Sequence, residues 1–192
     1  MQDFGFYFKL GWEHIMDWGA LDHLLFIAAL SAIYIITDWK QVLVLVTAFT
    51  IGHSLTLALS VLDIIRFNSH WVEFLIPGTI LFTAMSNLFQ REFSKRSIRI
   101  NYFLALGFGL IHGMGFANSI RFMMASDGNL GWSILGFNLG LEAGQIIVVA
   151  VLLLVAYAFI WGLKVNRREW VIFVSAAASS IALQMAFERI PF

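Results

Sequence analysis

Six stretches of this chain stay apolar for long enough to cross a bilayer, which leaves few folds open to it. They run from about Ala20 to Thr37, Gln41 to Leu62, Trp71 to Phe89, Ile98 to Ile120, Trp132 to Leu163 and Trp170 to Phe187. A helix rising 1.5 Å per residue covers a hydrocarbon core of about 30 Å with some 20 residues. In lipid the backbone must satisfy its own hydrogen bonds, so such stretches read as helices rather than open strands. A mean hydropathy of +0.82, with 12% of the 192 residues charged, agrees with an integral membrane protein. The connections are too short for a second domain. The expected architecture is therefore all-α: a polytopic membrane protein with six transmembrane helices in one domain, residues 1–192. The fifth stretch is too long for a perpendicular span and is expected to tilt or to begin outside the core. Residues 1–18 read as an interfacial or extended N-terminal segment, with Trp12 and Trp18 as headgroup anchors and Gly19 as a break. Met1 to Leu10 lacks a basic stretch followed by an apolar run and a small-residue cleavage site, so no signal peptide is expected.

Charge sets the expected orientation. The connections after spans one, three and five carry Lys40; Arg91, Lys95, Arg96 and Arg99; and Lys164, Arg167 and Arg168. The opposite side has Lys9, Arg66, Arg121 and Arg189. This bias puts the basic connections in the cytoplasm and both termini outside. The formal net charge is zero, which gives no footprint for a nucleic acid. There is no cysteine, which excludes disulfides, thiolate zinc sites and thiol catalysis. A metal would be held by imidazole, carboxylate, amide or hydroxyl groups. That donor set suits divalent Ni, Zn, Co, Fe or Mn better than Cu(I).

Ionisable residues inside the apolar stretches are the chemical signal, because each disfavours insertion and so marks a functional site. His14, Asp22 and His23 lie in GWEHIMDWGALDHLLF. On a continuous helix His14, Trp18 and Asp22 share a face at intervals of four, and an Asp beside a His either ligates a metal or orients the imidazole. His53 and Ser54 lie in TIGHSLTLALS, where Gly52 allows another helix close approach. His112 sits among Gly107, Gly109, Gly113 and Gly115 in GFGLIHGMGFANS, a thin helix that packs tightly or yields space to a ligand. Asn138, Glu142 and Gln145 in GFNLGLEAGQ recur at four and three residues and share a face. Counted from the span ends, His53, His112 and Glu142 all fall about 15–20 Å into the core. Asp22 and His23 are expected nearer the outer surface. Structural readings stand beside these: a histidine bonded to a neighbouring helix, close glycine packing, or a polar seam that joins helices. Taken together, His23, His53, His112, Glu142, Asp22 and His14 are the candidate ligands of one divalent transition-metal site, with Ser54, Asn138 and Gln145 as supporting groups. Protons are the second candidate cargo, since His and Glu relay them. His23 and His53 are 30 residues apart, as are His112 and Glu142, which fits a 3+3 inverted repeat with the site at its interface.

These motifs resemble the HupE/UreJ family of small membrane proteins. The resemblance covers nearly the whole chain and rests on GALDHLLF at 19–26, FTIGHSLTLAL at 49–59, GLIHGMGFA at 109–117 and FNLGLEAGQ at 137–145, in that order. It implies secondary transport of Ni²⁺ or a similar cation such as Co²⁺ or Zn²⁺, in a bacterial-type inner membrane. It also implies a role in metal handling for Asp22 and His23. The family's first motif has five residues between a His and the Asp-His pair, whereas here seven separate His14 from Asp22. Two extra residues turn a helix by roughly 200°, so His14 carries over only if the helix breaks, for instance at Gly19.

The resulting expectation is a metal-cation permease. A rival from another class is an intramembrane zinc hydrolase, in which His23, His53, His112, Asp22 and Ser54 hold a metal that activates water, with Asp22 or Glu142 as general base. A third reading is a bis-histidine haem between His53 and His112. The inner halves of the helices carry almost no ionisable group, so an inward cation path would rely on Gln145, Ser86, Asn87 and carbonyls. The lipid bilayer is the expected partner. A homo-oligomer is compatible with the sequence, and no soluble protein partner is indicated.

Overall fold

The structure, a computed structural model, describes residues 4–17, 21–90, 95–125 and 129–191. Every regular element among the described residues is helical: α1 (Phe4–Met16), α2 (Leu21–Ser31), α3 (Trp39–Val61), α4 (Ser69–Phe89), α5 (Lys95–Ala125), α6 (Leu130–Tyr157) and α7 (Arg167–Glu188). A 3₁₀ turn, Ile36–Asp38, leads into α3, and a wide π turn, Ala158–Gly162, extends α6. Among the described residues, four helices are long and apolar enough to cross a membrane: α3 with its leading turn, α4, α6 with its wide turn, and α7. α5 is longer still than α3, at 31 residues, and opens on the charged run KRSIRIN before its apolar part.

The first span differs from its expected form. In place of a helix from Ala20 to Thr37 stands α2, with 11 residues, or about 17 Å of rise. The segment before it, read as interfacial, is a 13-residue helix whose Tyr7, Gly11 and Ile15 are buried against the bundle. The physical reason is visible on its other face. Lys9 and Glu13 form a 3.5 Å ion pair there, 73% and 57% exposed, and they lower the apolar average of a segment that packs closely. Trp18 and Gly19, where the break was expected, lie outside the described residues, as does Arg91.

Close backbone approach fixes the directions of the helices. A Cβ on Gly11 would collide with the carbonyl of Phe137, one on Gly140 with the carbonyl of Phe8, and one on Gly144 would press on Ile15. Residue numbers rise together along this contact, so α1 and α6 run the same way. A Cβ on Gly109 would strike the Phe49 carbonyl and one on Gly113 the His53 carbonyl, so α3 and α5 also run the same way. Short connections turn the chain from α3 into α4 and from α6 into α7. Arg168 reaches the end of α4, donating to the carbonyls of Asn87 (2.9 Å), Gln90 (2.7 Å) and Leu88. A cation is well placed at a helix C-terminus, where carbonyls lack partners. At this same end Arg167 donates to the Ile33 carbonyl and lies 3.8 Å from Asp38. At the far end Arg189, just past α7, lies 3.6 Å from Asp22 at the start of α2. Thus α1 and α2 follow each other in one direction, as two pieces of a single broken path.

The glycine contacts generate the first expected outcome. Gly11→Ala and Gly140→Ala each place a methyl group against backbone that cannot turn aside, at a cost of about 1–3 kcal/mol. Gly78→Ala in α4 meets open space and leaves stability unchanged or raised by about 1 kcal/mol through helix propensity. Thermal unfolding of the three purified variants in one detergent checks this order.

Candidate functional site

Four imidazoles from four helices meet where α1 ends and α2 begins. His14 comes from the last turn of α1, His23 from the first turn of α2, His53 from α3 and His112 from α5. The ring centroids of His14 and His23 are 4.5 Å apart, those of His23 and His112 5.1 Å, and those of His53 lie 6.2 Å from both His14 and His23. His53 is 0% and His112 1% exposed. His14, His23 and His53 each offer a ring nitrogen, and these three atoms lie within 4.8 Å of one another. Two nitrogens on one ion are at most about 4.2 Å apart, twice a metal–nitrogen bond of about 2.1 Å. Small side-chain rotations therefore close the set on a single ion.

The hydrogen bonds around the rings leave several ring nitrogens bare. Asp22 Oδ1 lies 3.1 Å from His23 Nδ1 and accepts its proton. That orients the ring with Nε2 toward the cluster, the usual work of a carboxylate behind a ligating histidine. The Thr79 hydroxyl donates to the Ile76 carbonyl at 2.7 Å, so at 3.2 Å from His112 Nε2 its oxygen is the acceptor. The lone pair of His112 is then on Nδ1. Among the described residues, His14 Nε2, His23 Nε2, both nitrogens of His53 and His112 Nδ1 are buried without a hydrogen-bond partner. Asn138 is the polar neighbour of His53; its amide donates to the Ile134 carbonyl at 2.8 Å, and its Oδ1 is without a partner.

Aromatic rings shape the site. Phe116 stacks on Phe137 at 5.0 Å and 12°, and its centroid lies 3.9 Å from that of His14. Phe137 stacks on His53 at 6.0 Å. Toward the basic end each of three histidines is followed, one turn on, by a phenylalanine: Phe26 after His23, Phe49 beside His53, Phe108 beside His112. Phe26 lies 4.9 Å from Phe49, 5.8 Å from Phe108 and 5.3 Å from His112. These rings form a floor. On the opposite side a cavity of about 230 Å³ reaches the cluster, lined by His14, Asp22, His23 and His112 and, at its mouth, by Glu73 and Arg189.

The remaining sequence candidates sit elsewhere. Glu142 is half-buried and accepts a 2.6 Å bond from Thr47, two turns of α3 toward the basic end from His53. Gln145 accepts a 2.9 Å bond from Thr50. Ser54 donates to the carbonyl of Thr50 in its own helix at 2.6 Å. Asp22 and His23, expected nearer the outer surface, stand level with His53 and His112, because α1 and not α2 occupies the outer part of the path. Against a haem between His53 and His112 stands Phe49, which packs on both rings, its centroid 6.2 Å from one and 5.1 Å from the other. Asn87, a candidate for the inward path, is engaged with the Ala29 carbonyl and with Ser175. Sequence reasoning passed over Thr79 and the phenylalanine floor, and read Glu73 as interfacial at the outer start of its span. Thr79 is the residue an i+33 partner of His112 could have flagged only through its burial, which a sequence does not display.

Comparison with known proteins agrees with the motifs. The profile of the family described as HupE / UreJ protein matches residues 1–189, so the chain belongs to the HupE/UreJ family. No curated protein and no solved structure matches it.

Proposed function

We propose that this HupE/UreJ protein carries a divalent transition-metal cation, Ni²⁺ or a similar ion such as Co²⁺ or Zn²⁺, across a bacterial-type inner membrane. The observation that carries the reading is the set of three ring nitrogens, from His14, His23 and His53, within 4.8 Å of one another at the break between α1 and α2. Sites built at interrupted helices are a recurring device of secondary transporters. The carbonyls that end α1 also favour a cation there. The family's association with nickel and cobalt uptake supports the same reading.

The mechanism follows from the residues. A hydrated cation enters the cavity past Glu73, exchanges water for the imidazoles of His14, His23 and His53, and has His112 as a neighbouring donor. Asp22 holds His23 in the ligating tautomer. The floor of Phe26, Phe49 and Phe108 blocks the way inward until it moves. Beyond it the seam between α3 and α6 supplies oxygen donors, Thr50 with Gln145 and Thr47 with Glu142. We assign Glu142 to this inward leg, where a carboxylate draws the cation off the histidines. In this reading α1 and α2 make one crossing and α3 to α7 five more. Both termini are then outside, and the halves are related as a 3+3 inverted repeat. A permanently held zinc that activates water is the second reading, favoured by the closed floor; against it, the Ser54 hydroxyl is turned to its own helix.

Two outcomes are expected. Proteoliposomes should accumulate Ni²⁺, and His14→Ala, His23→Ala and His53→Ala should each weaken binding by more than ~100-fold, while Asp22→Asn stays within the ~10–100-fold typical of an outer partner. Imidazole binds metal as the neutral ring, so protons compete. Affinity is retained above the reference histidine pKa of about 6.5 and falls steeply below it, with more than one proton taken up per ion released. Calorimetry at about pH 5.5 and 7.5 reads this directly. Zinc retained in stoichiometric amount through chelation, with no flux, would instead favour the enzyme. For orientation, Ser97→Cys should label from the cytoplasm; labelling from the periplasm would invert the topology.

A further inference from the structure

Arg189 is an unexpected guest in a cation path. Its guanidinium lines the cavity that leads to the histidines, 3.6 Å from Asp22 Oδ2, while Asp22 Oδ1 serves His23. One carboxylate thus bridges a permanent cation and a candidate ligand. An Arg keeps its charge at any working pH, so in this position it repels an approaching divalent ion. It also neutralises the very carboxylate that makes His23 a good donor. A second acid, Glu73, lines the same cavity at the exposed start of α4.

We propose that Arg189 is an electrostatic latch over the metal site, passing from Asp22 to Glu73 as the cation is loaded. The inference rests on the metal-transport reading above and adds a residue that governs access to that site. With Arg189 on Asp22 the acid is paired and the guanidinium stands in the cavity that leads to the histidines. With Arg189 on Glu73 the mouth is neutralised at its rim, and the full charge of Asp22 supports His23. Arg189, Asp22 and Glu73 line the same cavity. Arg189 follows Glu188, the last residue of α7, and its side chain is 32% exposed against 13% for Asp22. Glu188 beside it accepts a 2.9 Å bond from Gln184.

The test uses the full-length protein in nanodiscs, Ni²⁺ alone as probe, and stopped-flow mixing with a metallochromic indicator across a salt series. R189Q is expected to load about tenfold faster than wild type, with a changed salt dependence, as for removal of a like charge at an entrance. R189K, which keeps the charge, should load at the wild-type rate. E73Q removes the second seat, so it should slow loading, and by a larger factor with Arg189 present than in the R189Q background. R189Q loading no faster than wild type would overturn the latch. So would E73Q slowing both backgrounds equally, which would make Glu73 only an attracting charge. If wild type takes up no Ni²⁺ at all, the metal reading itself falls, and the latch with it.

Discussion

The fold is organised around a debt of hydrogen bonds. Imidazoles from four helices are packed ring against ring in an aromatic enclosure, and five of their buried nitrogens lack a partner among the described residues. Each orphaned polar atom costs on the order of 1–3 kcal/mol, and charging the rings in such surroundings would cost more. A divalent cation, as proposed above, would supply the partner those lone pairs lack. Asp22 and Thr79 fix which nitrogen of His23 and of His112 carries the lone pair. What they leave is a set of ring nitrogens facing one another without hydrogen-bond partners among the described residues.

Two glycine-lined helix pairs make the meeting physically feasible. α3 and α5 approach until backbone touches backbone at Gly52, Gly109 and Gly113, which flank His53 and His112. α1 and α6 do the same at Gly11 and Gly140, and that contact brings His14 down to the level of the others. In lipid, apolar side chains gain little by meeting one another, so close van der Waals contact between small residues is a main source of helix association. The same substitutions that loosen these pairs would therefore scatter the histidines. Packing and chemistry are coupled through single residues, as in the neighbours Gly52 and His53.

Much of this was legible before any coordinates. The helical class and the bounds of α3, Trp39–Val61 against an expected Gln41 to Leu62, follow from hydropathy. His23, His53, His112 and Asp22 stood out because ionisable groups contrast with apolar surroundings. Other features lacked such contrast. α1 carries Lys9 and Glu13 on its exposed face, which hid its buried side from any average along the chain. Phe26, Phe49 and Phe108 are apolar residues in apolar runs, and nothing in the sequence marks three of them as a floor. Glu142 shows the limit of reasoning by depth: span ends drawn from the sequence put it level with His53, whereas the residue of α6 beside His53 is Asn138, one turn earlier. Glu142 turns toward Thr47 instead of the cluster. The two extra residues between His14 and Asp22 matter less than on a continuous helix, since α1 and α2 are separate helices.

The most direct test is anomalous diffraction at the nickel edge from crystals of the protein grown with Ni²⁺. The account predicts one strong peak within about 2.0–2.2 Å of ring nitrogens of His14, His23 and His53. A peak on the carboxylate of Glu142, or only on surface groups with none among the three histidines, would contradict it.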